Sequence, residues 1–173
     1  IGCDIGISSV FALSDFRISH DEKTGSKTYN LSKIYNKICK AKINSKHCKK
    51  LKTHAINYSN QVLNLISLSN IKELHIEDLK GLRFGKKCRP FLRCWRYPLI
   101  IQKINSLCEN NGIKLVRIDK NYTSQRCSLC GWVQKKNREK KRFNCLKCTY
   151  TCDADINAAK NISILNENDT IQG

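Results

Sequence analysis

The sequence predicts an α/β layered domain interrupted by a metal-held insert. Three observations carry that expectation. The first 31 residues read as strands, and the rest of the chain alternates helical and strand patterns, the order of a sheet covered by helices. Two C-x2-C pairs, Cys127/Cys130 and Cys145/Cys148, flank a 14-residue basic segment near the end of the chain. Asp155 lies seven residues after the second pair, at the head of a helical pattern.

In chain order, IGCDIGISSVFALSDF predicts two strands joined by a tight turn, with Ile5, Ile7, Val10, Phe11, Ala12 and Leu13 as its apolar residues. Gly6 permits close backbone approach just after Asp4. A third strand is expected over 27–31, after the turn-like Thr24-Gly25-Ser26, completing a meander. Residues 33–68 read as one helix, because Cys48, Leu51, Ala55, Tyr58, Val62 and Leu65 recur at steps of three and four. Lys46, Lys49, Lys50 and Lys52 fall mostly off that stripe. They read either as a solvated face or as a row of phosphate contacts.

Residues 71–79, IKELHIEDL, predict a short strand with Leu74 and Ile76 buried and Glu77 where it runs out. The stretch 80–96 interleaves Lys80, Arg83, Lys86, Lys87, Arg89, Arg93 and Arg96 with Phe84, Phe91 and Trp95. That mixture suits phosphate contact plus base stacking, or else a solvated loop. A helix is expected from near Pro98 to Asn110, with Pro98 in its first turn and Asn111-Gly112 ending it. Residues 114–118 predict a strand, and the last helix is expected from Asp155 to about Leu165, before a polar tail.

Composition narrows the function classes. A net charge of +18 over 173 residues implies a polyanionic partner, and nucleic acid fits best. No basic amphipathic helix stands out for a membrane surface. The chain also shows no apolar run of about 18 residues and no signal peptide, so an intracellular protein is expected. That means cytoplasm or nucleoid in a prokaryote or virus, and the nucleus in a eukaryote. Eleven cysteines, four of them at metal spacing, suit a reducing compartment better than a disulfide scaffold. The chain opens at Ile1 on what reads as the inside of a strand, and the expectation is that an N-terminal portion is missing.

Zinc takes four soft ligands in a tetrahedron, and each C-x2-C turn supplies two thiolates at the right spread. Cys127, Cys130, Cys145 and Cys148 are therefore candidate zinc ligands. Their spacing falls just under the roughly 15–20-residue separation of a zinc ribbon. The intervening segment, with Lys135, Lys136, Arg138, Lys140, Lys141 and Arg142, has no room for its own core, so metal would supply much of its folding energy. Cys152 lies nearby but does not continue the pattern.

A basic protein that keeps isolated acids inside apolar segments needs a reason for them. Asp4, Glu77 and Asp155 each lie at the edge of a predicted element. If the first strand neighbours the Glu77 strand, the acids converge as hard oxygen donors for Mg2+ or Mn2+. Blander roles exist for each. Asp155 can be a helix N-cap, Asp4 a turn residue, and Glu77 a surface acid with Asp78 as alternative ligand.

YTSQRCSLCG, FNCLKC and DADINAAKNI closely resemble the C-terminal region of TnpB-type proteins, transposon-encoded RNA-guided nucleases related to type V CRISPR effectors and Fanzor proteins. DIGISSVFALSD resembles the first RuvC motif of that family, HIEDLKGL the second and DADINAAKNI the third. The motifs occur in the family's order over nearly the whole chain. The resemblance implies an RNase H-like (RuvC) mixed sheet with flanking helices and a zinc-ribbon insert that binds target nucleic acid. It implies Asp4, Glu77 and Asp155 as metal-binding acids and the four cysteines as holders of structural zinc. Thr149 stands where the family usually has Gly after the fourth cysteine. The family's N-terminal half, which carries guide and target-motif recognition, has no counterpart here.

The expected organisation is a nuclease domain over 1–122 and 153–173, interrupted by the ribbon over 123–152. The expected function is two-metal hydrolysis of DNA, with guide RNA and target DNA as partners and N-terminal recognition domains required. Arg83, Lys86, Lys87, Arg89, Arg93 and Arg96, with the ribbon's Lys135, Lys136, Arg138, Lys140, Lys141 and Arg142, would hold the backbone. The rivals are a non-cleaving nucleic-acid-binding remnant and a zinc-ribbon interaction module.

Overall fold

The computed structural model describes residues 1–7, 9–19, 31–79, 94–119 and 121–165. Strands β1 (Gly2–Asp4), β2 (Ala12–Leu13), β3 (Glu73–Glu77) and β4 (Lys114–Ile118) form one mixed sheet in the order β2-β1-β3-β4. β1 pairs antiparallel with β2 and parallel with β3, and β3 pairs parallel with β4. Helices α1 (Leu31–Lys40), α2 (Lys46–Asn64), α3 (Tyr97–Asn110) and α4 (Ala154–Ser163) complete the domain. No described helix is long and apolar enough to cross a membrane.

Strand alternation divides these helices between the two faces. Cys3, Leu74 and Ile76 point into a core shared with Leu31, Ile34, Tyr35 and Ile38 of α1, Ala55 and Leu63 of α2, and Ile100 and Ile104 of α3. Val116 and Ile118 point the other way and pack with Ile162 and Leu165 at the end of α4. Gly2 lies on this second face, in register with His75 and through it with Val116. A methyl group at Gly2 would overlap the Ala159 carbonyl oxygen and the Ser163 nitrogen. The absent side chain is what lets α4 lie directly on β1.

The third strand expected over 27–31 lies outside the described residues except for Leu31, which opens α1. Ala12 bridges Ile18. Two expectations are corrected. The single helix over 33–68 is two. The chain breaks after Ala41, Asn44 takes φ 65°, and Ser45 starts α2 by accepting a hydrogen bond from the Cys48 N–H at 3.1 Å. Leu65 is the C-cap of α2 and 80% exposed, so it leaves the apolar stripe. The last helix begins at Ala154, because Asp153 is its N-cap and accepts from the Asp155 and Ile156 N–H groups.

Candidate active site and metal centre

The register that pairs Gly2 with His75 and Cys3 with Ile76 brings Asp4 alongside Glu77 at its next step. Both then share the face covered by α4. On α4, Asp155, Ala159 and Ser163 recur every four residues and form one stripe. Ala159 and Ser163 sit over Gly2, so Asp155 lies one helical turn away, toward Asp4. Two strand residues and one helical turn advance by nearly the same amount, roughly 6 Å.

Asp4, Gly6, Ile7 and Asp155 line a cleft of about 330 Å³ together with Arg138, Lys140 and Lys141 of the cysteine-bearing segment. Asp4 is partly buried. Burial, then the charges of Glu77 and Asp155, push its carboxyl well above the usual range, against the pull of Arg138 and Lys141. Asp155 is 6% exposed. Burial would raise it, but the Lys141 ammonium, Arg138 and the Ser9 hydroxyl outweigh burial and hold it below the usual range. Arg138 Nη2 lies 2.8 Å from Asp155 Oδ1, and Lys141 bonds Asp155 Oδ2 and, at 2.8 Å, Ser9 Oγ. Glu77 is not in the cleft wall. Its Oε1 accepts from the Thr123 hydroxyl, and its carbonyl accepts from Tyr97 OH at 2.7 Å.

The cations reach Asp155 through a small three-stranded sheet. β5 (Arg138–Glu139), β6 (Arg142–Asn144) and β7 (Thr151–Asp153) are antiparallel, with Arg142 opposite Asp153. The Ala154 N–H donates to the Lys141 carbonyl at 2.8 Å, which sets the β5–β6 turn beside the first turn of α4. Lys135 and Lys136 are on a 3-10 turn, and Arg142 is exposed on β6. Arg96 is exposed at the N-cap of α3 and does not line the cleft. Arg83, Lys86, Lys87, Arg89 and Arg93 lie outside the described residues.

The sulfurs of Cys127, Cys130, Cys145 and Cys148 lie within 4.8 Å of one another. Cys127 to Cys148 is 3.7 Å and Cys130 to Cys145 is 3.6 Å. A tetrahedron with metal–sulfur bonds of about 2.3 Å has edges of about 3.8 Å, so the four thiols form a site that fits structural zinc. Burial pushes Cys127 up to about 12. Burial also acts on Cys145, but the Cys148 and Lys147 N–H groups aimed at its sulfur hold it at about 7. The two knuckles repeat one backbone geometry. The Gly131 N–H donates to the Cys127 carbonyl at 2.9 Å with φ 77°, and the Thr149 N–H to the Cys145 carbonyl at 3.0 Å with φ 60°. Cys152 pairs opposite Phe143 and packs beside the site without joining it.

Sequence reasoning missed the asparagines. Asn157 and Asn161 are fully buried, one turn apart on α4. Their amides donate to the Arg126 carbonyl at 2.8 and 2.7 Å, Asn161 also reaches the Thr123 carbonyl, and Asn157 Oδ1 accepts from the Ser128 N–H. Asn137 joins the knuckles, donating to the Gln125 carbonyl and accepting from the Leu146 N–H. The i, i+4 spacing of Asn157 and Asn161 on a helix was the available signal; their partners are too distant in sequence to infer.

Residues 97–162 match the protein family described as "Cas12f1-like, TNB domain". The chain is 40% identical over 111 residues to the CRISPR-associated endodeoxyribonuclease Cas12f1 of Sulfoacidibacillus thermotolerans, covering 63% of this chain and 26% of that protein. It is 34% identical over 92 residues to a TnpB-like protein of Aquifex aeolicus (strain VF5), covering 49% and 30%. The chain thus spans under a third of either relative's length. A Cas12f1–sgRNA–target DNA complex shares its fold with TM-score 0.59 at 21% identity, over 94% of this chain and 49% of that one. A CRISPR-Cas12f ternary complex does so with TM-score 0.60 at 20% identity, over 99% and 38%. With the mixed sheet and the four-cysteine metal site, these likenesses make the chain similar to the RuvC–TNB region of TnpB and Cas12f proteins, which are related to the type V CRISPR effectors.

Proposed function

We propose that this chain is the nuclease region of an RNA-guided DNA endonuclease, with Asp4, Glu77 and Asp155 as its metal-binding acids. One observation carries the reading. Burial and the charges of two neighbouring carboxylates push the Asp4 carboxyl well above its usual range in a protein of net charge +18. Gathering acids this way is costly; Arg138 and Lys141 offset only part of that cost, and an added divalent cation would offset more. The donors are hard oxygens, which suit Mg2+ or Mn2+ rather than the zinc that thiolates prefer.

When bound, such ions would supply an activated water and neutralise charge on the phosphodiester. The remaining work falls to the chain. Thr123 and Tyr97 hold Glu77 from its side chain and its carbonyl. The Asp153 cap fixes the turn that presents Asp155. Arg138, Lys140 and Lys141 rim the cleft and draw a phosphodiester toward the acids, Arg138 with a planar fork suited to two phosphate oxygens. Guide RNA and target DNA are the proposed partners, with sequence read by base pairing and recognition domains supplied outside this region. Residues 1–122 and 153–173 act as one nuclease domain and 123–152 as its inserted ribbon.

A second reading, a binding module that does not cut, is favoured by Asp155 being paired to both Arg138 and Lys141. Mn2+ titration with Mg2+-dependent cleavage of single-stranded DNA separates the two. Nuclease function predicts divalent binding and cutting, both lost in Asp4→Ala. Nucleic-acid binding with neither, also when the chain is joined to the recognition domains, would establish the second reading.

A further inference from the structure

Cys39 and Cys94 meet outside the metal site. Their sulfurs are 3.4 Å apart, across 55 residues of sequence. Cys39 is exposed on the last turn of α1, and Cys94 is half-buried just ahead of α3. By contrast, Cys3, Cys48 and Cys108 are buried, and Cys152 packs beside the metal site.

The meeting is built into the packing. Tyr35, one turn before Cys39 on α1, is buried, and its hydroxyl accepts from the Arg96 N–H at 3.4 Å. Trp95, next to Cys94, is buried in the core that Ile38 also joins, with its ring 5.3 Å from that of Tyr97. Contacts beside each cysteine therefore hold α1 against the chain entering α3. A disulfide bond is about 2.05 Å long, so closure needs roughly 1.4 Å of approach by the two side chains.

The two sulfurs are not equivalent. Cys39 donates the hydrogen bond and Cys94 accepts it. The negative end of the α1 dipole disfavours a thiolate at Cys39. Burial, then the bond to Cys94, push the Cys39 thiol up to about 11. A thiolate at Cys94 keeps that hydrogen bond, whereas one at Cys39 gives it up. Cys94 is thus the nucleophile and Cys39 the resolving thiol.

We propose that Cys39 and Cys94 are a redox-active dithiol, oxidised by a small-molecule disulfide of the glutathione type to a reversible Cys39–Cys94 bridge. The Cys94 thiolate attacks one glutathione sulfur, the glutathione disulfide bond breaks, and one glutathione leaves as a thiolate. Cys39 gives its proton to that thiolate, attacks the Cys94 sulfur and expels the second glutathione, which takes up the proton that Cys94 had released to water. Two protein thiols are oxidised, and one glutathione disulfide is reduced to two glutathione thiols. The bridge encloses α2, β3 and the stretch 80–93 in one covalent ring, so it pins both ends of the chain that carries Glu77.

The test treats the zinc-saturated full chain with glutathione disulfide, blocks the remaining thiols with N-ethylmaleimide and maps the tryptic fragments. Fragment 38–40 should appear joined to fragment 94–96, and dithiothreitol should separate them. The bridged chain should melt about 5 °C or more above the reduced one, since the cross-link closes a long loop. Cys39→Ser should hold one glutathione on Cys94. Cys94→Ser should take up glutathione at Cys39 about tenfold more slowly. No joined fragment, Cys39 joined to a different cysteine, a bridged chain that melts earlier, or equal uptake by the two variants overturns the proposal. No readout involves Mg2+ or cleavage, so this result and the nuclease reading fail separately.

Discussion

Asn161 and Arg126 hold each other reciprocally. The Asn161 amide donates to the Arg126 carbonyl at 2.7 Å, and the Arg126 guanidinium donates to Asn161 Oδ1 at 2.9 Å. Arg126 immediately precedes the first metal-site cysteine, and Asn161 is on the helix that carries Asp155. The pair therefore ties the metal knuckle to the candidate active-site helix. Lys160 adds a second tie, its ammonium 4.3 Å from the Phe16 ring centre and 3.2 Å from Tyr150 OH.

Asn161→Ala leaves the Thr123 carbonyl without its side-chain donor in a buried setting and the Arg126 guanidinium without its acceptor, while Asn157 still donates to the Arg126 carbonyl. A loss of about 1–3 kcal/mol is expected. Asn157→Ala, which strands the Ser128 N–H, should cost about 1–3 kcal/mol. Denaturant melts with saturating zinc measure both. Loss below about 0.5 kcal/mol for Asn161→Ala, the low end for a single net hydrogen bond, would remove it as the clamp.

Cys127→Ser or Cys148→Ser should disorder the segment between the knuckles, because its own core is little more than Phe143 and Ala154 beside the cysteines. Elemental analysis should find about one zinc per chain in the parent protein and much less in either variant. Amide exchange over 123–152 should accelerate in both. A zinc-free parent with that segment protected would exclude the site.

Thr149 adopts φ 60° in the place that glycine holds at the other knuckle. A left-handed non-glycine residue costs about 1–2 kcal/mol, and a glycine there gives back about 0.5–1 kcal/mol in chain entropy. Thr149→Gly should thus stabilise by up to about 1 kcal/mol, less the hydroxyl's 2.7 Å bond to the Cys148 carbonyl. Chelator titration checks it: the variant should hold zinc at least as tightly as the parent.

Much of this was legible because the signals were local. The cysteine pairs, the strands ending at Glu77 and Ile118, and the Pro98 start and Gly112 stop of α3 come from neighbouring residues. The break before α2 was less visible, since apolar steps of three and four lie on both sides of it, although Ser45 carried the capping signal. Asp153 and Asp155 are both plausible caps by sequence, and only the backbone shows which side chain accepts the helix N–H groups. The meeting of Arg138 and Lys141 with Asp155 depends on a hairpin folding back onto α4, and no periodicity encodes that. Part of the basic aromatic stretch, 80–93, lies outside the described residues.

Asp4 carries a pH prediction. Its folded carboxyl is raised, by burial first and then by Glu77 and Asp155. The unfolded chain therefore ionises this group at lower pH than the folded one. Asp4 thus costs stability as pH rises from its unfolded value, about 4, through its folded value. In chelator, Asp4→Asn should raise the melting temperature at neutral pH and lose that advantage near the unfolded value, about pH 4. Mg2+ should stabilise the parent and not the variant. An Asp4→Asn protein no more stable than the parent at neutral pH in chelator would show that the carboxylates do not strain the fold.

Asp155 and Asp153 separate chemistry from folding. Asp155 is depressed, despite burial, by Lys141, Arg138 and Ser9, so it stabilises above its unfolded value and loses that contribution as pH falls through its folded one. Asp155→Asn removes the anion from two cations and should cost about 1–3 kcal/mol at neutral pH. Asp153→Ala removes an N-cap that accepts from two N–H groups and should cost about 1–2 kcal/mol. The two variants are thus roughly matched in stability, while Asp153→Asn should be nearly neutral because Asn caps about as well as Asp. Under the proposed function only Asp155→Asn loses a charged hard donor. It should lower Mg2+-dependent cleavage by about 100-fold or more and weaken Mn2+ binding, while Asp153→Asn, which keeps the cap, holds parental values at a temperature where all are folded. Nucleic-acid affinity in chelator should hold or rise in Asp155→Asn, since Arg138 and Lys141 are released toward phosphate. Parental cutting and Mn2+ affinity in a folded Asp155→Asn protein would take Asp155 out of the metal site and leave it as the ion-pair anchor of the β5–β6 turn.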